Sequence, residues 1–163
     1  MTPVLEHRTV HRDHLSALIA LEVRADQRDL VTANLYTFAE GFCEPGALVW
    51  GLWVGDVPVG LMAMIDFRDD PEPFEEVAPD AIYLWRLMIA EAHQGKGYGS
   101  AALGLAVKEA RARGYGRIMA GVRDAAHSNL AFYERHGFKA TDRVYEGDRM
   151  IDLDLAAFIP GGQ

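Results

Sequence analysis

A glycine-rich turn decides the fold of this chain, and it reads Gln94-Gly95-Lys96-Gly97-Tyr98-Gly99. The turn joins an apolar run typical of a strand, Ile82 to Ile89, to a run beginning near Ser100 that is typical of a helix. Its glycines let the backbone curl tightly and leave N–H groups uncovered, and the positive end of the following helix would point at the same place. The sequence therefore predicts an anion-binding site at this turn.

Several nucleotide-binding folds share the order strand, glycine turn and helix. A P-loop requires Gly-x-x-x-x-Gly-Lys-Ser/Thr, and this spacing does not occur in the sequence. A dinucleotide fingerprint requires Gly-x-Gly-x-x-Gly and an acidic residue about 20 residues further on. Here the glycines alternate singly, and the next predicted strand ends in Gly121-Val122-Arg123. On the turn alone, a glycine turn with no phosphate role stays an open alternative.

A second block further along the chain reads Asn129-Leu130-Ala131-Phe132-Tyr133-Glu134-Arg135-His136-Gly137-Phe138. By itself it predicts a short helix with core aromatic residues that Gly137 ends. In this order, the two blocks resemble the GNAT superfamily of N-acetyltransferases, whose Gln-x-x-Gly-x-Gly segment holds the pyrophosphate of acetyl-CoA. The resemblance covers most of the chain and is sharpest from Tyr83 to Phe138.

The resemblance implies a mixed α/β GNAT fold. The expected sheet is mostly antiparallel, has about seven strands, is splayed at the acetyl-CoA cleft and is accompanied by about four helices. It also implies acetyl-CoA as co-substrate, no metal and a homodimer. The pantetheine arm would pair with the backbone at a strand bulge near Leu87, Met88 and Ile89. The pyrophosphate would lie on Gln94, Gly95, Lys96, Gly97, Tyr98, Gly99 and Ser100.

Two residues of the second block match family positions of known role. Asn129 matches an asparagine that contacts CoA, although an asparagine that begins a helix is also a common cap. Tyr133 matches a tyrosine that protonates the departing CoA thiolate. A phenol with a pKa of about 10 is a suitable donor to a thiolate whose conjugate acid has a pKa of about 8.5.

The general base is left open by the sequence. An alkylammonium with a pKa of about 10.4 is neutral in about one part in a thousand at pH 7.4, so presenting the free amine costs about 4 kcal/mol. Many polyamine acetyltransferases carry a glutamate on the strand before the glycine turn, where this chain has Trp85 and Arg86. The unranked candidates are Asp66, Glu40 and Glu22.

Within the superfamily, the segments Tyr83 to Gly99 and Gln27 to Asn34 resemble the bacterial spermine/spermidine (diamine) acetyltransferases. A polycationic substrate would fit the net charge of −8 and the segment Asp66 to Asp80, which holds seven acidic residues and one arginine. The simple alternative is that this segment is a solvated connector. Rival functions are an antibiotic acetyltransferase of the aminoglycoside or streptothricin type, and an acyl-CoA-binding sensor without catalysis.

Length and composition fit one N-acetyltransferase domain over residues 1–163, half of them hydrophobic. The sequence shows no broad basic stripe for nucleic acid, no apolar run of about 18 residues for a membrane span and a charged start from Met1 to His14. We therefore expect a cytoplasmic protein that contacts neither nucleic acid nor membrane. A catalytic role for the single cysteine, Cys43, is not indicated.

Local patterns place most of the elements. Strands are predicted at Val4 to Arg8, Ala47 to Val54, Val59 to Ile65, Ile82 to Ile89 and 117–122, with two more at the end, the last alternating through Ile151, Leu153 and Leu155. Helices are predicted at Asp13 to Leu21, Asp29 to Glu40, Gly97 to Arg113 and through Phe132 and Tyr133.

Overall fold

The computed structural model describes residues 4–162. The strands are β1 (Leu5–Thr9), β2 (Ala47–Val54), β3 (Val57–Ile65), β4 (Ala81–Ile89), β5 (Arg117–Arg123), β6 (Lys139–Tyr145) and β7 (Asp148–Asp154). The helices are α1 (Arg12–Ile19), α2 (Asn34–Cys43), α3 (Tyr98–Ala112) and α4 (Leu130–Arg135). The strands form one sheet in the order β1-β2-β3-β4-β5-β7-β6. Strands β4 and β5 run parallel, and the other neighbouring pairs run antiparallel.

The expected seven-stranded, mostly antiparallel sheet with four helices is confirmed, and β2 lies inside the sheet between β1 and β3. The predicted helix at Asp29 to Glu40 is wrong at its start. Helix α2 begins only at Asn34, because Ala33 has an extended backbone with ψ of 143° and the preceding residues form turns. The last strand ends at Asp154, and Leu155 begins a short 3-10 turn while its side chain stays buried.

Alternation along the strands sends side chains to two separate cores. The first core lies under α3 and α4 and includes Ile82, Leu84, Ala120 and Tyr133. The second core lies on the opposite face of the sheet, and its members are Ile65, Val77, Ala81, Tyr83, Met119 and Met150, with Phe67, Phe74, Ala78, Trp85 and Tyr145 packed against them. The acidic segment covers this second face, since Phe74 contacts both Tyr83 and Tyr145.

The parallel pair β4 and β5 separates partway along its length. Residues Ala81 to Leu84 pair with Arg117 to Ala120, and the pairing then stops. Each strand keeps its other neighbour, because β4 stays paired with β3 through Ile89 and β5 stays paired with β7 through Arg123. The sheet is therefore split from Trp85 and Gly121 onward, as the predicted splay requires.

None of the helices in residues 4–162 is long and apolar enough to cross a membrane.

Close packing between β3 and β4 at Gly60 generates a stability prediction, for which Gly104 of α3 is the control. A Cβ on Gly60 would lie 2.2 Å from the Met88 carbonyl oxygen, whereas a Cβ on Gly104 of α3 would meet nothing within 4 Å. We expect Gly60→Ala to destabilise the protein by about 1–3 kcal/mol, because one backbone must move away from the other. The matched change Gly104→Ala should stabilise it by about 0.5–1 kcal/mol through helix propensity. Urea unfolding measures both, and equal stability of the Gly60 variant and the wild type would contradict this packing.

Candidate active site

A cleft of about 770 Å³ opens where β4 and β5 separate. Its walls come from the segment between α1 and α2, the second half of β4, the glycine turn, the end of β5 and helix α4. The lining residues include Leu87, Met88, Ile89, Gln94, Gly95, Gly97, Tyr98, Gly99, Ser100, Asn129 and Tyr133. All the predicted site residues except Lys96 therefore line one cavity.

The glycine turn presents consecutive free backbone donors. Within residues 4–162, the N–H groups from Gly95 to Ser100 donate to no backbone or side-chain acceptor; Gln94 N–H donates to Glu91 and Ala101 N–H to Gly97. Gly95 and Gly97 have φ of 73° and 82°, and a Cβ on either would meet nothing within 4 Å. Because α3 begins at Tyr98, its positive end adds to the same site. The turn can cradle a phosphate group.

The Gln94 side chain fixes this turn in place. Its amide nitrogen donates to the Ile89 carbonyl oxygen at 2.9 Å and to the Gln27 side-chain oxygen at 2.8 Å. The glutamine therefore ties the turn to the end of β4. Lys96 points elsewhere, since its Nζ donates to the Ala92 carbonyl at 3.2 Å and its side chain is exposed outside the cleft. Only the backbone N–H of Lys96 is left for the predicted anion contact.

A buried histidine supports the first turn of α3. His136 is 1% exposed, its Nδ1 lies 2.7 Å from the Phe132 carbonyl oxygen, and its Nε2 lies 2.9 Å from Ser100 Oγ. A carbonyl oxygen only accepts, so Nδ1 donates, and in the neutral ring Nε2 accepts from the Ser100 hydroxyl. His136 thus links α4 to the residue that ends the row of free donors, in a structural role.

The edge of β4 that the family resemblance assigns to a pantetheine arm is not paired with another strand. The β5-facing edge of β4 is unpaired from Trp85 through Ile89. The predicted bulge near Leu87, Met88 and Ile89 is wrong in position, because the register shift between β3 and β4 leaves Trp85 as the extra residue. A bulge puts two successive side chains on one face. Accordingly, the Arg86 guanidinium lies 4.6 Å from the centre of the Trp85 ring.

Helix α4 brings both of its predicted residues to the cleft. Asn129 stands at the helix N-terminus, but its side chain makes no capping hydrogen bond and lines the cleft instead. Tyr133 is 6% exposed. Burial, and to a smaller extent the nearby Tyr83 phenol, raises the pKa of Tyr133, so its hydroxyl stays protonated at neutral pH.

Asp148 lines the cleft and was missed by the sequence reasoning. Asp148 begins β7 opposite Arg123, and its Oδ1 lies 3.2 Å from Arg123 Nε. A Cβ on Gly121 would lie 3.5 Å from Asp148 Oδ2 and 3.3 Å from the Tyr83 hydroxyl oxygen. Burial raises the pKa of Asp148 despite the opposing effect of Arg123 and Arg86. No local motif marks this aspartate, because the pairing of β5 with β7 alone brings it to the cleft.

The three carboxylates that the sequence offered as general bases lie elsewhere. Asp66 accepts a hydrogen bond of 2.5 Å from the Tyr115 hydroxyl and lines a separate small cavity. Burial favours its neutral form, but hydrogen bonds from Tyr115 and the Arg68 backbone outweigh this and lower the pKa of Asp66. Glu40 pairs with Arg86 at 2.9 Å, and the exposed Glu22 pairs with Arg28 at 3.2 Å. None of the three lines the cleft.

The acidic segment, residues 66–80, also stays outside the cleft lining. Two of its carboxylates are paired to the body of the protein, Asp66 as above and Asp80 with Arg117 at 2.8 Å. Most of its acidic side chains are exposed. Among the described residues that line the cleft, arginines outnumber carboxylates; the arginines are Arg24, Arg28, Arg86, Arg123 and Arg135, and the carboxylates are Asp29 and Asp148.

Several solved structures have a similar fold. PaiA N-acetyltransferase from Thermoplasma acidophilum, crystallised with coenzyme A, is similar over 92% of this chain and 98% of its own, with 15% identity and a TM-score of 0.65. The ribosomal-protein-S18-alanine N-acetyltransferase from Escherichia coli is similar over 93% and 94%, with 18% identity and a TM-score of 0.65. A Bacillus subtilis acetyltransferase in complex with CoA is similar over 94% and 99%, with 17% identity and a TM-score of 0.60.

At these identities the solved structures establish the fold alone, and none of the curated proteins matches the chain. The family assignment rests on the sequence. The model of the acetyltransferase (GNAT) family matches residues 12–138, a range that contains the glycine turn, the split between β4 and β5 and the second block. The chain therefore belongs to the acetyltransferase (GNAT) family.

Proposed function

We propose that this protein transfers the acetyl group of acetyl-CoA to a primary amine of a small molecule. The observation that carries the proposal is the row of free N–H groups from Gly95 to Ser100 at the N-terminus of α3, inside the cleft. Those donors match a diphosphate, because successive amides and a helix N-terminus both favour negative charge. The pyrophosphate of acetyl-CoA lies on these donors, which include the N–H groups of Tyr98, Gly99 and Ser100.

The unpaired edge of β4 receives the pantetheine arm. Its amide groups pair with the backbone of Leu87, Met88 and Ile89, as an added strand would. The Ile89 carbonyl already accepts from Gln94, so the glutamine sets the distance between the pantetheine edge and the phosphate turn. The uncapped side chain of Asn129 contacts the CoA chain from the α4 side. This arrangement points the thioester at Tyr133.

Tyr133 acts as the general acid. When the amine attacks the thioester carbonyl and the C–S bond breaks, the sulfur gains negative charge and takes the phenolic proton. The burial that raises the pKa of Tyr133 also disfavours a free thiolate in the same cleft, so the proton is still transferred toward sulfur. The phenolate recovers a proton from the nitrogen, which must lose its own as the amide forms.

The acceptor that we propose is a cationic amine. A polyamine such as spermidine or spermine is supported by the subfamily resemblance and by the net charge of −8. The acidic segment lies outside the cleft, so it can act on a polycation only through its field and not by contact. A homodimer and a cytoplasmic location stay predictions.

The glycine turn generates the first test of this function. Wild-type protein should bind acetyl-CoA with micromolar affinity, about −8 kcal/mol. Gly97→Val should weaken binding by more than about tenfold, because its side chain occupies the space where the pyrophosphate approaches the amides. Isothermal titration calorimetry measures the affinity.

Gly114→Val is the matched control for the cost of backbone strain. Gly114 also has φ of 82° and open space for a Cβ, but it lies at the far end of α3. This variant should bear the same strain and bind acetyl-CoA normally. If Gly97→Val stays folded and binds as tightly as Gly114→Val, the phosphate site is elsewhere.

The second test removes only the hydroxyl of Tyr133. Tyr133→Phe should keep the affinity for acetyl-CoA nearly unchanged, since the ring still packs against Phe132 and Phe138. Turnover should fall about 10- to 10³-fold because one general acid is lost. Single-turnover acetyl transfer gives the rate of the chemical step. An unaltered rate would assign Tyr133 to packing alone.

The third test concerns the acceptor. We expect release of the CoA thiol with spermidine, with a second-order rate constant that falls as salt rises from about 0.01 to 0.3 M, because the Debye length shortens from about 30 Å to about 6 Å. Spermine, kanamycin and streptothricin complete the panel. Faster release with kanamycin or streptothricin would replace the polyamine by an antibiotic acceptor. Binding of acetyl-CoA without thiol release for any amine would favour the sensor.

A further inference from the structure

We propose that Asp148 is the general base that takes the proton from the acceptor ammonium. The inference rests on the proposed function, and it names a residue outside both sequence blocks that define the family resemblance. It begins from the two carboxylates of the cleft lining, Asp29 and Asp148. Asp29 is 62% exposed and pairs with His127 at 2.8 Å, whereas the Asp148 side chain is 34% exposed and lies at the strand split.

The position of Asp148 follows from the sheet. Pairing of β5 with β7 puts Arg123 opposite Asp148, and Gly121 follows Ala120, the last β5 residue paired with β4. Because Gly121 has no side chain, the Asp148 carboxylate and the Tyr83 hydroxyl both lie close to the place that a Cβ would occupy. A larger residue at this point would separate the carboxylate from the gap.

Asp148 and Tyr133 reach the gap from opposite faces of the sheet. Tyr133 belongs to the core under α3 and α4, whereas Tyr83, the neighbour of Asp148, belongs to the core on the other face. This separation suits acetyl transfer, because the incoming amine and the departing sulfur approach and leave the carbonyl carbon in different directions. The acid thus faces the sulfur, and the base faces the nitrogen.

The proton balance is complete with these two residues. The bound ammonium gives one proton to the Asp148 carboxylate, directly or through one water, and the free lone pair forms the C–N bond. The C–S bond then breaks, and sulfur takes the Tyr133 proton. The nitrogen loses its second proton, which restores Tyr133. Asp148 releases the first proton to solvent, so the products are the amide, CoA thiol and one proton.

The surroundings of Asp148 suit a general base. The charged and titratable groups around it are Arg123, Arg86, Tyr83 and Glu146. Arg86 is also held by Glu40, and burial raises the pKa of Tyr83 to about 12, so that phenol stays neutral. Burial, the largest effect, raises the pKa of Asp148 and strengthens it as a base.

The test is the pH dependence of kcat/KM for acetyl transfer to spermidine, or to the panel amine that the wild type acetylates fastest. In the wild type, kcat/KM should change little with pH over the range in which Asp148 is ionised and the amine is protonated, since the carboxylate takes the proton. Asp148→Asn should lower it about 10²- to 10⁴-fold at pH 7. The residual rate should rise about tenfold per pH unit, because only the free amine reacts.

Two further variants and the pH profile of Asp148→Asn decide between a base and a structural role. Asp142→Asn, an exposed aspartate on β6, should keep the wild-type rate and pH profile. Asp148→Glu should recover part of the rate with a flat profile, because it restores a carboxylate. If Asp148 only holds Arg123, Asp148→Asn will lower kcat/KM by one factor at every pH and keep the wild-type profile, which would overturn the proposal.

Binding of acetyl-CoA separates this proposal from the proposed function. Asp148→Asn should bind acetyl-CoA as the wild type does, because the phosphate turn and the β4 edge are untouched. A wild type that binds acetyl-CoA but acetylates no amine of the panel would overturn both proposals. A wild type that acetylates an amine, with a flat profile retained in Asp148→Asn, would overturn the base alone.

Discussion

The separation of β4 from β5 is the constraint on which the rest of this structure depends. The two strands pair over four residues each and then follow different neighbours, β4 with β3 and β5 with β7. The bulge at Trp85 bends β4 at the point where pairing stops. The result is a strand edge with free backbone groups inside the protein, and such groups are costly unless they find partners. We propose that the amide groups of the pantetheine arm satisfy them.

The split also gives the cleft two chemically different sides. On the α3 side, the glycine turn, Ser100 and helix α4 surround one end of the gap, and the buried His136 connects them. On the other side, Arg86 and Asp148 lie near Tyr83 of the second core, which the acidic segment covers through Phe74. The first side suits a phosphate-bearing carrier and the second suits a small polar acceptor. We propose that group transfer takes place where the two sides meet.

The sequence predicted well what depends on neighbours along the chain. Periodicity placed β2, β3, β4 and α3, and the alternation of glycines predicted the free amides of the turn. Features that depend on pairing between distant segments were not predictable in this way. The register of β3 against β4 moved the bulge to Trp85, and the pairing of β5 with β7 brought Asp148 to the gap. Asp66, one of the three unranked candidates for the general base, accepts instead a hydrogen bond from Tyr115.

The central claim is that the free amides from Gly95 to Ser100 hold the pyrophosphate of acetyl-CoA. The most direct measurement is a titration of ¹⁵N-labelled protein with CoA, followed by the backbone amide resonances in two-dimensional NMR spectra. We expect large downfield proton shifts for Gly95, Gly97 and Gly99, because free N–H groups acquire an anionic acceptor, together with smaller shifts along the β4 edge. Unchanged glycine amides at saturating CoA, with the largest shifts in another part of the sheet, would contradict it.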